Sequence, residues 1–300
     1  MRVIREFDPW RSPLCTCPPK YSLQPYTGCS HGCLYCYATG YIRLRKARPK
    51  RDVVAKIRRD LRYIDFSLPI NMSTSSDPYT PEEATLGLTR RILEILLPIG
   101  LRVLITTKSS SVVRDVDILS KGNAAVMITI TTMDKGTARR IEPHAPPPRD
   151  RIRALRLLSE NGIPVGVRID PIIPHVNDDE EELIELVENV VAAGASHVVT
   201  STYKARPDSL SRLILEYPEL SERLRRLYLS YGERLHGYWY LERRLRIRIL
   251  TPIIRHARKL GITVATCRDG IKNYAPTCDG SHLIPKRVPL SLSRTPKIRA

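Results

Sequence analysis

Hydrophobic positions fall into short continuous runs separated by longer stretches in which apolar residues recur at helical spacing. The runs are Tyr21–Gln24, Pro69–Ser73, Arg102–Thr106, Ala125–Ile130, Pro164–Ile169 and His197–Ser201. Their length and β-branched content predict buried strands. Between them lie predicted helices: Asp52 to about Arg62, one starting at Thr80, Arg149–Asn161 and Asp178–Ala193. Thr80, Pro81 and Glu83 have the pattern of a capping box, and Gly162 stands where the third helix should stop. Six strands alternating with helices predict a parallel sheet with right-handed crossovers, hence a partial (β/α)6 barrel of the α/β class.

The rest of the chain departs from this alternation. Leu210 to about Arg244 reads as mostly helical, followed by a helix near Pro252–Leu260 and a short strand at Thr263–Thr266. The expected organisation is an N-terminal segment (1–24), a barrel core (25–205), a helical C-terminal region (206–285) and a basic tail (286–300) with no acidic residue.

In parallel barrels, functional side chains project from the C-terminal ends of the strands. Here those ends are polar one after another: Thr74–Asp77, Lys108, Thr129 and Thr131, Arg168 and Asp170. The chain has 300 residues, 42% of them hydrophobic, enough for a substantial core. No apolar stretch reaches membrane-spanning length and the N-terminus lacks a signal-peptide core, so a cytoplasmic location without membrane association is expected. Seven cysteines in such a chain point to metal ligation. A single glutamine among many charged residues suggests a thermophile, yet 49 basic against 31 acidic residues give a net charge of +18. Ion-pair networks need both signs, so the excess predicts a polyanionic partner, nucleic acid first.

Three cysteines, Cys29, Cys33 and Cys36, follow one another as C-x3-C-x2-C. A 4Fe–4S cluster normally takes four thiolates, so a loop offering three leaves one iron open for chemistry. A zinc loop would more often show paired C-x2-C knuckles. With aromatic Tyr35 before the third cysteine, the run resembles the radical S-adenosylmethionine (SAM) superfamily. That resemblance implies SAM on the open iron, one-electron cleavage to methionine and a 5′-deoxyadenosyl radical, and an electron donor of ferredoxin or flavodoxin type.

From about Tyr21 to Ala205 the chain resembles the spore photoproduct lyase-like branch. The residues that carry this are Pro25–Cys33, Cys36–Ala38, Ser76–Tyr79, Thr107–Lys108 and Arg168–Pro174. The resemblance implies that Tyr35 lies near the adenine and that Lys108 pairs with the SAM carboxylate. Thr74 and Asp77 would help hold the amino group and Thr129 would approach the ribose, with Arg168 completing the cofactor-binding set. Tyr37 matches a tyrosine that the lyases use in passing a hydrogen atom. The lyases carry a hydrogen-donating cysteine on the second strand end, where this chain has Thr74, whose O–H bond is too strong for that role. His31 reads as a hydrogen-bonding residue of the loop.

Four cysteines remain. Cys15 and Cys17 precede the barrel; Cys267 and Cys278 follow it. A closed barrel could join them into an auxiliary 4Fe–4S cluster, with zinc as an alternative and a 2Fe–2S cluster using His282 as another. Cys278–His282 also resembles the CDGSH iron–sulfur motif, but Asp269 stands where that family has its second cysteine. Three functions are open: a radical SAM enzyme for nucleic-acid modification or repair, one acting on a peptide or metabolite, and a non-catalytic iron–sulfur nucleic-acid-binding protein. The basic run Arg43–Arg62 beside the cluster loop favours nucleic acid.

Overall fold

The computed structural model describes residues 2–7, 12–42 and 45–287. Arg43 of the basic run and most of the basic tail therefore lie outside the described residues. One eight-stranded sheet organises the chain, with its strands in sequential order: β1 (Arg5–Glu6), β2 (Tyr21–Leu23), β3 (Ile70–Met72), β4 (Val103–Thr107), β5 (Ala124–Thr129), β6 (Val165–Ile172), β7 (His197–Thr202) and β8 (Thr263–Thr266). From β2 to β8 every neighbouring pair is parallel; only β1 is antiparallel. The six expected strands are present, and the short C-terminal strand joins them as a seventh parallel member.

Side-chain alternation divides the strands into two faces. Val103, Ile105, Val126, Ile128, Val167 and Val198 point outward into the large core. Covering them are α1 (Val53–Asp60), α2 (Leu88–Leu96), α3 (Pro148–Glu160), α4 (Glu180–Ala192) and α6 (Arg243–Lys259), through residues such as Leu93, Leu155, Leu186 and Ile253. Leu104, Ala125, Met127 and Val199 point inward and pack on Leu283 and Ile284. The C-terminal segment thus fills the bottom of the barrel, held by Arg287 N–H donating to Asn123 Oδ1 at 2.6 Å. On this inner face, above that floor, come the polar residues of the strand ends.

Two expectations are corrected. Thr80 and Glu83 do not form a capping box. Thr80 bonds instead to Glu82, while buried Glu83 accepts from Tyr26, Thr89 N–H and Arg114. Neighbouring elements take the carboxylate that a cap would use, and the helix breaks at Gly87 (φ +56°) before α2 begins. The C-terminal region is also less helical than expected. After α5 (Pro207–Glu216) a hairpin pairs Glu233–Leu235 with Tyr238–Tyr240 around His236–Gly237, both at positive φ. Pro252 sits inside α6, not at its start. Among the described residues no helix is long and apolar enough to cross a membrane.

Candidate active site

The strand ends and the cysteine loop enclose a cavity of about 260 Å³. Cys29, Cys33 and Cys36 line it, with Tyr35, Tyr37, Thr74, Asp77, Lys108, Thr129 and Arg168. Every residue expected around the cluster and SAM therefore faces one space. Gly28 and Gly32 give the loop its shape at φ +79° and +68°; a Cβ on Gly32 would come within 3.1 Å of His144.

Long-range contacts hold the loop. Leu34 N–H donates to Ile141 O at 2.9 Å and Ser76 Oγ to Gly28 O at 2.6 Å. From α5, Arg212 donates to the carbonyls of Leu34 (2.9 Å) and Cys36 (3.0 Å) and to the Thr39 hydroxyl (2.9 Å). Sequence reasoning missed Arg212, because nothing in its local pattern points to a partner 178 residues away.

Asp77 plays a different part from the one expected. Its carboxylate accepts from Tyr79 N–H (2.9 Å), the Thr107 hydroxyl (2.6 Å) and Lys108 N–H (2.8 Å), and lies 3.3 Å from His31 Nε2. Burial alone would raise its pKa; His31 and these donors hold it at about 2. With its acceptor capacity used, Asp77 pins the cysteine loop to β4 and leaves little for an incoming amino group. His31 behaves as the loop residue expected, its Nδ1 also 3.4 Å from His144 O.

Tyr35 is buried, its hydroxyl bonded to Glu142, which in turn pairs with Arg151 at 2.5 Å. Arg151 reaches on to Thr129 O at 3.0 Å. This buried Tyr–Glu–Arg chain was not legible, since Glu142 lies just beyond a helix end and matches no motif. Lys108 Nζ stands 5.4 Å from the Tyr35 ring centre. Among the described residues it has no ion pair. Burial opposes its charge, yet Cys33, Glu142 and Asp77 keep its pKa above the ordinary lysine value. Thr74 Oγ1 is bonded to the Gln24 amide, and Tyr37 donates its hydroxyl to the Thr74 carbonyl at 2.5 Å.

The other four cysteines meet beside this cavity. Cys15, Cys17 and Cys267 line it, and Cys278 Sγ is 3.5 Å from Cys17 Sγ. Thiol donation from Cys15 and Cys278, with Lys20 nearby, pulls the Cys17 thiol far below its ordinary pKa. Lys20 is paired with Asp279 at 2.5 Å, joining the two flanks. Arg168 pairs with Asp170 and hydrogen-bonds the Cys267 sulfur, so it serves this second group of cysteines. Both ring nitrogens of His282 are engaged by threonines, Thr277 at 2.8 Å and Thr263 at 3.3 Å. One of these contacts would have to open for His282 to ligate a metal. Asp269, at the place of the CDGSH motif's second cysteine, is buried in a pair with Lys204 at 3.1 Å.

A family model described as the radical SAM superfamily matches residues 23–187. The chain belongs to the radical SAM superfamily. An uncharacterised protein of Acidianus two-tailed virus is 30% identical over 245 residues, 72% of this chain and 81% of that protein. An uncharacterised protein of Methanocaldococcus jannaschii is 36% identical over 165 residues, 54% of this chain and 63% of the other. A spore photoproduct lyase mutant solved with bound AdoMet and dinucleoside spore photoproduct superposes with a TM-score of 0.64 at 17% identity, covering 86% of this chain and 78% of that one. At that identity the likeness is one of fold.

Radical SAM membership implies a 4Fe–4S cluster and SAM, and the three-cysteine loop fits the cluster. Among the described residues no three His, Cys, Asp or Glu side chains converge on one ion position. A cubane binds each thiolate through a different iron, and Cys29, Cys33 and Cys36 all line one cavity. Burial, with Asp77 nearby, pushes the Cys29 thiol up to about 12, so its thiolate calls for a compensating cation.

Proposed function

We propose that this protein is a radical SAM enzyme that generates a 5′-deoxyadenosyl radical to modify or repair nucleic acid, with a second 4Fe–4S cluster on Cys15, Cys17, Cys267 and Cys278. One observation carries the reading: three free cysteines and Lys108, an ammonium with no ion pair among the described residues, face a single cavity. When bound, the cluster supplies the electron that splits SAM. Lys108 holds the SAM carboxylate and Tyr35 closes the adenine side. Thr129 meets the ribose, Thr74 lies near the amino group, and Asp77 and Arg212 fix the loop. Tyr37 is kept protonated, because burial raises its phenol pKa, and it is poised to pass a hydrogen atom.

Nucleic acid is supported by the charge of +18 and by Arg45, Arg48, Arg58 and Arg62, which are exposed and form no ion pair among the described residues. It is supported also by the dinucleoside held by a protein of the same fold. The auxiliary cluster is supported by the meeting of four thiols from opposite ends of the chain. Zinc is the alternative, since the 3.5 Å between Cys17 Sγ and Cys278 Sγ is also close to the ligand spacing of a tetrahedral thiolate site.

Anaerobic incubation of the iron-loaded protein with SAM and dithionite tests the enzyme reading. 5′-Deoxyadenosine is expected; its absence from a fully loaded protein would overturn the proposal. Oligonucleotide binding that weakens steeply with salt is expected, and weak binding with a flat salt dependence would move the substrate to a peptide or metabolite.

A further inference from the structure

The cations around the cavity are not equivalent. Lys20, Arg168 and Lys204 are each paired, with Asp279, Asp170 and Asp269. Two have no ion pair among the described residues: Lys108, already given to SAM, and Arg268. Arg268 lies on the far side of Cys267 from β8 and its guanidinium has no hydrogen-bond acceptor among the described residues.

Its position is enforced. Arg268 has φ +57°, a left-handed conformation that a non-glycine residue rarely adopts. Both neighbours are locked: Cys267 N–H donates to Thr200 O at 3.1 Å, and Asp269 is held by Lys204, Thr202 (2.7 Å) and, through its carbonyl, Arg246 (2.6 Å). The chain thus carries backbone strain that keeps this side chain on the cavity. Arg268 stands 4.9 Å from the Tyr238 ring centre, and Arg206 stands 5.0 Å from the same ring. Arg206 Nε and the Tyr238 hydroxyl are both buried without a hydrogen-bond partner. Two guanidinium groups therefore pack against one phenol ring, and neither has a carboxylate partner among the described residues.

We propose that Arg268, with Arg206 behind it, receives a phosphate group of the substrate. This inference rests on the nucleic-acid reading. A fork of N–H donors with no protein acceptor suits the paired oxygens of a phosphate, and the exposed arginines outside the cavity favour a phosphate chain over a peptide carboxylate. Lys108 would then anchor the cofactor and Arg268 the substrate strand, with the reacting atoms between them.

The test is fluorescence anisotropy of a labelled single-stranded oligonucleotide with the full, iron-loaded chain over a series of salt concentrations. Arg268→Gln is expected to weaken binding about tenfold and to lower the salt slope by about 0.7, the loss of one phosphate contact. Arg268→Lys keeps the charge, loses the fork, and should fall between the two. It also serves as the second variant should Arg268→Gln lower the melting temperature or iron content. Replacing single phosphodiesters by uncharged methylphosphonates should weaken the wild type at one position and leave Arg268→Gln indifferent there. Steep salt-dependent binding by the wild type with unchanged affinity and slope in Arg268→Gln would overturn this inference and leave the nucleic-acid reading intact. If the wild type fails to bind the oligonucleotide, the nucleic-acid reading falls, and inorganic pyrophosphate becomes the probe. Thermal protection lost in Arg268→Gln would sustain a phosphate site, and no protection of the wild type would overturn both.

Discussion

The two groups of cysteines are built in opposite ways. Cys29, Cys33 and Cys36 lie within eight residues of one loop, and distant residues only brace it. Cys15, Cys17, Cys267 and Cys278 come from the two flanks and meet only because the sheet curls. In sheet order β2 and β8 are six places apart, yet Lys20 before β2 pairs with Asp279 after β8, and Thr16 accepts from Asn273 at 2.9 Å. The second group thus closes the gap that an incomplete barrel leaves open. The loop group depends on local geometry, whereas the flank group depends on the whole fold being in place.

That difference can be broken from either side. The largest effect is expected from Cys33→Ala, which should reduce 5′-deoxyadenosine formation to background, whereas Cys17→Ala should remove about half the iron and leave SAM cleavage measurable. Iron counting and chromatography of the SAM products check both.

Acid should act on the flank group's support. His197 is buried against His282, with ring centres 4.7 Å apart, and next to Gly280. Burial, with His282 and Arg168 adding to it, depresses its pKa from 6.5 to about 3. The unfolded chain therefore binds a proton more readily. The stability from neutral His197 is full above pH 6.5 and is lost as pH falls from there towards 3. The amount is on the order of 3–5 kcal/mol. Melting temperatures across this range should fall steeply for the wild type and more gently for His197→Asn. Identical profiles would show that His197 does not carry the effect.

Smaller effects belong to the loop side. Lys108→Met should weaken SAM binding about ten- to a hundredfold, the loss of one charge-assisted contact, as read by calorimetry. Arg212→Leu removes three hydrogen bonds from the loop. It should cost about 2 kcal/mol and lower iron occupancy at the loop cluster, and a variant with normal melting and full iron would show that the loop holds itself.

Much of this was legible in the chain because the relevant signals are local. Strand runs, strand-end polarity and the C-x3-C-x2-C spacing act over a few residues, and alternation along β5 alone sends Met127 to the floor and Thr129 to the cavity. Three kinds of feature escaped. Glu83 would cap its helix by local rules, but Tyr26 and Arg114 hold the carboxylate elsewhere. The hairpin at Glu233–Tyr240 depends on His236 taking a positive φ, which residue identity does not announce. Arg212 and Arg268 matter through where the fold carries them, and an arginine in a chain with 49 basic residues carries no mark of its own.

The central claim is that two metal centres, one local and one assembled by the fold, face a single cavity. It is tested most directly by iron content after anaerobic reconstitution of the wild type and of the Cys29→Ala, Cys33→Ala, Cys36→Ala triple variant. About eight irons per chain are expected in the wild type and about four in the variant, which should retain a cubane spectrum without forming 5′-deoxyadenosine. About four irons in the wild type and none in the variant would contradict it, leaving the flank cysteines without a cluster.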